Sequence, residues 1–447
     1  MAKEQIRLSD RFTYRKLIRF TLPSIVMMIF SSIYGVVDGL FVSNFASKTA
    51  FAAVNFIMPF LMMLGTLGFM FGTGGAALIG KLLGEKESER ANRTFSMVTF
   101  VSILCGVLLA VLGIVFIEPV AALLGAEGQM LADCVVYGRI ILAALPFFML
   151  QMEFQTFFVV AEKPKLGLAS TVASGVANMV LDALLVAVFG LDLVGAALAT
   201  AISQAVGGII PIVYFSCKNK SLLRLTARFR FDGRALLRVC TNGSSELMSN
   251  ISMSLVSMLY NLQLIKYAAE DGVAAYGVLM YVNFIFLSAF IGYVVGMAPV
   301  VSYHYGAQNR DELKSLFCKS LVLISISSAV MVGIAAALAQ PMSAIFVGYD
   351  QGLYEMTVRG FYIYSLSFLF SGGAIFGSSF FTALNNGFIS AAISFLRTMV
   401  FQIAAVMLIP LWLELDGIWI SIVVAELMAF LVTAAFLLAR RKKYGYM

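Results

Sequence analysis

Histidine is nearly missing: His304 is the only one in 447 residues. A single imidazole leaves little from which to build a His-based metal cluster or a Ser-His-Asp triad. The five cysteines, Cys105, Cys134, Cys217, Cys240 and Cys318, are scattered, odd in number and without a CxxC pair, so they give no disulfide framework and no zinc site. No HExxH, no GxSxG with a histidine partner and no phosphate loop is present. Charge is also scarce, at 12%, where an ordinary soluble domain carries about 25%. With 61% apolar residues and a mean hydropathy of +0.93, the chain is neither disordered nor a conventional soluble enzyme. A soluble fold cannot hide that much apolar surface, so the solvent for most of this chain is lipid.

What the sequence has is long apolar runs. Read against the roughly 20 residues a membrane helix needs, they predict twelve spans: 17–41, 51–79, 93–117, 131–160, 166–190, 193–216, 239–266, 274–305, 317–340, 353–383, 388–413 and 416–440. The first is too long for a signal peptide, and no small-residue cleavage site follows it. Basic residues gather at the N-terminus (Lys3, Arg7, Arg11, Arg15, Lys16, Arg19), in alternate loops, in the linker (Lys218, Lys220, Arg224, Arg228, Arg230, Arg234) and in the tail at Arg440–Lys443. The other loops are acidic or neutral: Glu118, Glu127 and Asp133; Asp192; Glu270 and Asp271; Asp350 and Glu355; Glu414 and Asp416. The positive-inside rule puts both termini in the cytoplasm, which an even number of spans satisfies. The net charge of +7 is then topology, and no nucleic-acid partner is needed to explain it.

The chain also repeats itself. Displaced by 222 residues, Gly74 falls on Gly296, Gly84 on Gly306, Phe95 on Phe317, Pro119 on Pro341, Gly195 on Gly417, and Ala52 and Ala53 on Ala274 and Ala275. Six spans per half is an even number, so both halves enter the membrane the same way: a parallel repeat. The expected organisation is an N-terminal segment 1–16, an N-lobe 17–216, a basic linker 217–238, a C-lobe 239–440 and a tail 441–447. Transporters built this way hold substrate between the halves.

Ionisable side chains at membrane depth are functional candidates by default, because each costs a few kcal/mol to insert. Here they are Asp38, Glu153, Asp182, Glu246, Arg397 and Glu426. The repeat places Tyr260 where Asp38 stands and Ala404 where Asp182 stands, so the acidic pair belongs to one lobe. Asn178 shares a helix face with Asp182 at i, i+4. Two carboxylates in poor dielectric do not both ionise cheaply, which makes a site for one proton or one Na⁺; the alternative is a pair capped by Asn178 or backbone. Gln155 is expected within two turns of Asp182 in depth and is the better site neighbour, whereas Glu153 is open between a cavity and an internal ion pair. Arg397 reads as a helix–helix salt bridge and Glu246 as a first-turn acid complementing the helix dipole. Glu426 faces either the other lobe or a helix partner, and His304 reads as interfacial packing. Met27, Met28, Met149, Met152, Met248 and others mix with phenylalanine along the spans. That suits a cavity for bulky lipophilic cations, or plain core and lipid-facing filling.

Several motifs occur together: Leu22-Pro23-Ser24, Val37-Asp38-Gly39-Leu40-Phe41, Gly-Thr-Gly-Gly75 before Gly84-Glu-Lys-Glu, Ala161-Glu-Lys-Pro164 and Gly195-Ala-Ala-Leu-Ala-Thr200. In combination with twelve spans they resemble the MATE family of multidrug and toxin extrusion transporters over nearly the whole chain, and within it the DinF-like, prokaryotic drug-efflux branch. The resemblance implies an all-α integral membrane protein with twelve helices in two six-helix, V-shaped bundles. It implies an antiporter that exports lipophilic, often cationic, compounds in exchange for H⁺ or Na⁺ by alternating access, with no other cofactor. The coupling cation would sit at Asp38, Asn178, Asp182 and Thr200, which would be metal ligands only if the ion is Na⁺. Tyr34, Tyr137 and Gln155 would line the same cavity, with Met152 and Glu153 as further candidates, and Pro23 would be a hinge. Gln155 departs from the asparagine expected there. The NorM-like branch has carboxylates in spans seven and ten. This chain has only Glu355 near the mouth of span ten, and Glu246 near the start of span seven, so a C-lobe ion site is not expected. The implied setting is a bacterial-type cytoplasmic membrane and a monomer, with small-molecule substrates and the bilayer as partners. The rival is a flippase for a lipid-linked precursor, which would need cavity arginines; Arg397 and Arg139 are the candidates.

Overall fold

The structure, a computed structural model, describes residues 6–45, 48–219, 221–226 and 230–447. Lys3, Lys220 and Arg228, which entered the orientation argument, lie outside the described residues, as do the side chains of Glu270 and Ala52.

In hydrocarbon every backbone polar group must find its partner within the chain, and helices do this locally. The described residues form twelve helical rods. They are α1 (Tyr14–Phe45), α2 (Lys48–Gly84), α3 (Ser88–Leu124), α4 (Gly128–Val160), α5 (Pro164–Val188), α6 (Asp192–Ser216), α7 (233–267), α8 (Asp271–Gly306), α9 (Arg310–Val347), α10 (Gln351–Ser365 and Phe368–Ala383, bent by 44°), α11 (Gly387–Leu408) and α12 (Pro410–Tyr444). Ten of these are long and apolar enough to span a membrane by themselves, and the bent pair makes an eleventh. The remaining rod, α7, carries Arg234, Arg238, Asn242, Glu246 and Asn250. Helix α7 runs into α8 through a kink at Ala268 (φ −141°) and Ala269 (φ 50°).

The repeat is written in the backbone. Lys86 and Gln308, Asp192 and Glu414, and Glu162 and Asn385 all take positive φ, between 46° and 63°. A left-handed conformation is uncommon for residues with a Cβ. Its recurrence at the same elbow of each half shows that the two halves share the geometry of their turns. Both halves also carry a π-helical turn in the fifth rod: 183–188 follows Asp182 in α5, and 396–401 contains Arg397 in α11. Such turns cluster at functional positions.

One expectation fails here. Helix α7 begins at Gly233, six residues before the span read from the sequence, because the Asp232 carboxylate accepts from the Arg234 and Ala235 backbone N–H groups. Glu246 is therefore more than three turns inside the helix, where the terminal dipole does not reach, and its role is not that of a first-turn acid. The linker shortens accordingly. It lies along α3, with the Arg224 N–H donating to Asn92 Oδ1 (2.7 Å) and the Thr226 N–H to Ser96 Oγ (2.9 Å).

The halves meet through α1 and α2 on one side and α7 and α8 on the other. At the end carrying both termini, glycines bring backbones together. A methyl group on Gly84 would stand 2.0 Å from the Tyr303 carbonyl oxygen, and one on Gly306 would stand 2.1 Å from that of Lys81. Gly74 against Val239 and Gly243 against Met70 repeat the arrangement a few turns deeper. Towards the opposite end, Gly35 and Gly39 of α1 and Gly277 of α8 have nothing within 4 Å of such a methyl position. The halves are thus in backbone contact at the basic end, while these three glycines make no such contact.

Candidate functional site

Four helices of the first half direct oxygen atoms to one place. On α5, Ser174, Asn178 and Asp182 recur every fourth residue, forming a polar stripe along one face, and all three are buried. Asp38 projects from α1, one turn beyond Tyr34. Its Oδ1 accepts from Asn178 Nδ2 and from Thr200 Oγ1 of α6, both at 3.4 Å. The Asp182 carboxyl lies within hydrogen-bonding reach of Asp38. Tyr137 of α4 stands against Thr200 and both acids.

Deeper, Gln151 Nε2 donates to Ser174 Oγ (3.2 Å), Ser174 Oγ to the Ser203 carbonyl (2.7 Å), and Ser203 Oγ to the Thr200 carbonyl (2.8 Å). Tyr34 lies beside Gln151. Gln155, one turn on from Gln151 and on the same face, is also buried. This relay ties α4, α5 and α6 together beneath the acids.

The atoms left over are of one kind. Asn178 Oδ1, both oxygens of Asp182, and the side-chain oxygens of Gln151, Gln155 and Gln204 are buried with no hydrogen-bond donor. Among the described residues, no lysine or arginine forms an ion pair with either aspartate. Unmatched buried acceptors are costly; those of Asn178 and Asp182 lie beside Asp38, whereas Gln151 pairs with Ser174, two turns from Asp182 along α5, and Gln155 is one turn farther still, so the expected nearness of Gln155 to Asp182 is corrected. Oxygens of this kind suit a proton shared by a carboxyl pair, or a hard metal ion taking oxygens from carboxylate, amide and hydroxyl groups. No group of three or more His, Cys, Asp or Glu residues stands ready for a metal among the described residues.

Glu153 is not part of this cluster. It is fully buried, but it points to α3, where Thr99 Oγ1 donates to its Oε1 (3.2 Å) and Ser102 lies alongside. A spacing of two residues on a helix sends it some 200° away from Gln151 and Gln155. The placement of Glu153 in the cavity with the acids is corrected on that ground. Met152 is buried within α4, and Pro23 is buried within the otherwise continuous helix α1. His304 is buried edge-to-face against Tyr303. Gln151, Ser174, Ser203 and Gln204 were not singled out from the sequence; polar residues at spacing four on apolar helices were the available signal.

A larger space lies towards the second half, a cavity of about 240 Å³ between α2 and helices α7, α8, α10, α11 and α12. Phe69, Thr73 and Thr156 close it from the first half. Tyr260 and Tyr276 line it, stacked at 5.5 Å, and Trp419 backs Tyr276 at 6.5 Å from outside the lining. Glu246, Arg397, Gln402 and Glu426 give it charge and polarity. The helix–helix salt bridge expected of Arg397 forms, and its partner is Glu426, with Arg397 Nε donating to both carboxylate oxygens at 3.1 and 2.9 Å.

The MatE family model matches the chain twice, over residues 23–184 and 247–408, once in each half. Among curated proteins, the multidrug export protein MepA of Staphylococcus saprophyticus is 26% identical over 380 residues, covering 83% of this chain and 84% of that protein. MepA of Staphylococcus aureus (strain NCTC 8325) is 26% identical over 368 residues, covering 80% of each. Among solved structures, an outward-facing multidrug resistance MATE transporter of the MOP superfamily superposes with a TM-score of 0.93 at 20% identity over 100% of both chains. A MOP superfamily transporter from Pyrococcus furiosus superposes with a TM-score of 0.89 at 21% identity, over 97% of both chains. Two family matches covering most of the chain, on a fold shared along its full length, settle the assignment: this chain belongs to the MatE family and is a secondary transporter, not an enzyme.

Proposed function

We propose that the protein exports lipophilic, often cationic, organic compounds in exchange for H⁺ or Na⁺ by alternating access. The observation that carries this reading is the set of buried, donorless oxygens around Asp38 and Asp182. Such a site takes a cation and couples its binding to any motion that changes the spacing of α1, α5 and α6. Coupling requires that the ion bind the two states with different affinity. Asp38 and Asp182 stand on different helices, so relative movement of α1 and α5 changes that affinity directly. Pro23 lacks an N–H and removes one hydrogen bond from α1, which gives that helix a place to bend. Tyr34 and Tyr137 belong to the same region of the first lobe, Gln155 and Met152 lie buried deeper on α4, and the cavity in the second half supplies room for a bulky substrate.

The MepA relatives, by name exporters of multiple drugs, support the substrate class. In this reading the basic end faces the cytoplasm, lobes 17–216 and 239–440 move against one another, and the protein works as a monomer in a bacterial-type cytoplasmic membrane. The flippase reading needs a cluster of cavity arginines; Arg397 is engaged by Glu426 and Arg139 is exposed.

The test is dye transport in proteoliposomes under an imposed pH gradient and, separately, an imposed Na⁺ gradient. Export driven by one of them and lost in Asp38→Asn is expected, and it names the ion. Export driven by neither, or unchanged in Asp38→Asn, refutes coupling at this site.

A further inference from the structure

The second lobe reverses the chemistry of the first. The first lobe presents acceptors without donors; the cavity of the second also holds donors without acceptors. Arg397 uses only its Nε on Glu426, and among the described residues nothing accepts from its two Nη groups. A guanidinium does not shed its charge to escape this. Beside it, the hydroxyl of Tyr260 is buried and without a partner, near enough to Glu426 to feel its charge. Tyr260 is the residue the repeat places where the first lobe has Asp38, and Arg397 stands where it has Gly175. One acid remains: Glu246, on the same cavity wall, interacts with Arg397 only at long range and forms no salt bridge.

From this geometry we infer that the second-lobe cavity contains an anion subsite, formed by the Arg397 Nη groups and the Tyr260 hydroxyl, for substrates that carry a carboxylate or phosphate beside an amine. Glu426 holds the guanidinium by its Nε and Arg397 lines the cavity, so the two Nη groups are the donors left for a ligand. A carboxylate or phosphate oxygen matches two parallel N–H groups. The amine of the same substrate pairs with Glu246, and its aromatic or alkyl body lies against Tyr260 and Tyr276. The inference extends the export reading to one class of substrate, amphiphiles bearing both charges, and it stands or falls on binding alone.

Nε-dansyl-lysine and dansylcadaverine test it, because they share the dansyl ring and the amine and differ by the carboxylate. Their affinities are compared by dansyl fluorescence with the full chain in detergent. The wild type should bind dansyl-lysine at least about tenfold more tightly, the worth of one charge-assisted pair of hydrogen bonds. In Arg397→Gln/Glu426→Gln, which removes both partners of the salt bridge together, the two affinities should converge. Equal binding by the wild type, a preference for dansylcadaverine, or a preference that survives in the double variant overturns the subsite. The wild-type comparison decides the matter even if the double variant does not fold. Ion-gradient-driven export of dansylcadaverine separates the two claims. Export without the preference keeps the transport reading and sinks the subsite; the preference without export does the reverse.

Discussion

Gly84→Ala should open the basic end of the molecule. The added methyl group would stand 2.0 Å from the Tyr303 carbonyl oxygen and 2.8 Å from the Ala307 nitrogen. Both are backbone atoms, which cannot swing aside as a side chain would. Restoring an ordinary contact of 3.4 Å requires α2 and α8 to separate by about 1.4 Å along that line. Overpacking of this kind costs roughly 1–3 kcal/mol. The cost falls only on the arrangement in which the two helices touch, so it shifts the balance between closed and open basic ends by about five- to 150-fold. Two exposed cysteines report the change: Cys217 follows α6 in the first half and Cys318 lies in α9 of the second. With Cys105, Cys134 and Cys240 replaced, spin labels on this pair give the inter-lobe distance by pulsed electron resonance. Gly84→Ala should move the distribution to longer distances, and Gly306→Ala, its repeat counterpart across the same contact, should do the same. A distribution identical to that of the parent would mean that the glycine contact is not what closes this end.

Other predictions follow from the same geometry. Asp182→Asn should lower gradient-driven export by at least about tenfold, since an amide neither releases a proton nor donates a charge to a cation site; vesicle dye flux measures it, and near-normal export would exclude Asp182 from coupling. Glu153→Gln, which keeps a partner for Thr99, should leave export within about twofold, and a loss equal to that of Asp38→Asn would show that its separation from the acids is wrong. The segment before α1 straps the halves together: the Leu8 N–H donates to Glu162 (2.6 Å), the Phe12 N–H to Glu312 (2.8 Å), and Lys319 Nζ to the Phe12 carbonyl. Phe12 is 1% exposed, so Phe12→Ala should remove about 3 kcal/mol of contact and lower the melting temperature by several degrees, read by intrinsic fluorescence. Burial pushes the Glu162 carboxyl above its ordinary value of 4.5. The folded strap thus binds that proton more readily than the free chain does; the stabilisation is full below the ordinary value and is lost as pH rises through the raised one. Glu162→Gln should flatten the melting temperature across that window.

Much of this architecture was legible in the residues. Apolar runs of membrane length, the alternation of basic and acidic loops and the offset of 222 residues are one-dimensional signals, and they determined the twelve spans and the doubled fold. They also picked out Asp38 and Asp182, because a carboxyl in an apolar run is conspicuous wherever it points, and Asn178, because spacing four on a helix fixes a shared face. The sequence did not determine direction or partnership. Glu153 and Gln155 are two residues apart and equally polar in prospect, yet helical rotation sends one to α3 and leaves the other on the face of Gln151. Glu246 looked like a helix start until the Asp232 cap placed α7 earlier. Tyr260 and Arg397 lie 137 positions apart, and only the packing of α7 against α11 lines both on one cavity. Pattern along a helix is local and periodic, so a sequence carries it; which helix lies across from which depends on side-chain packing over the whole bundle, and that belongs to the tertiary structure alone.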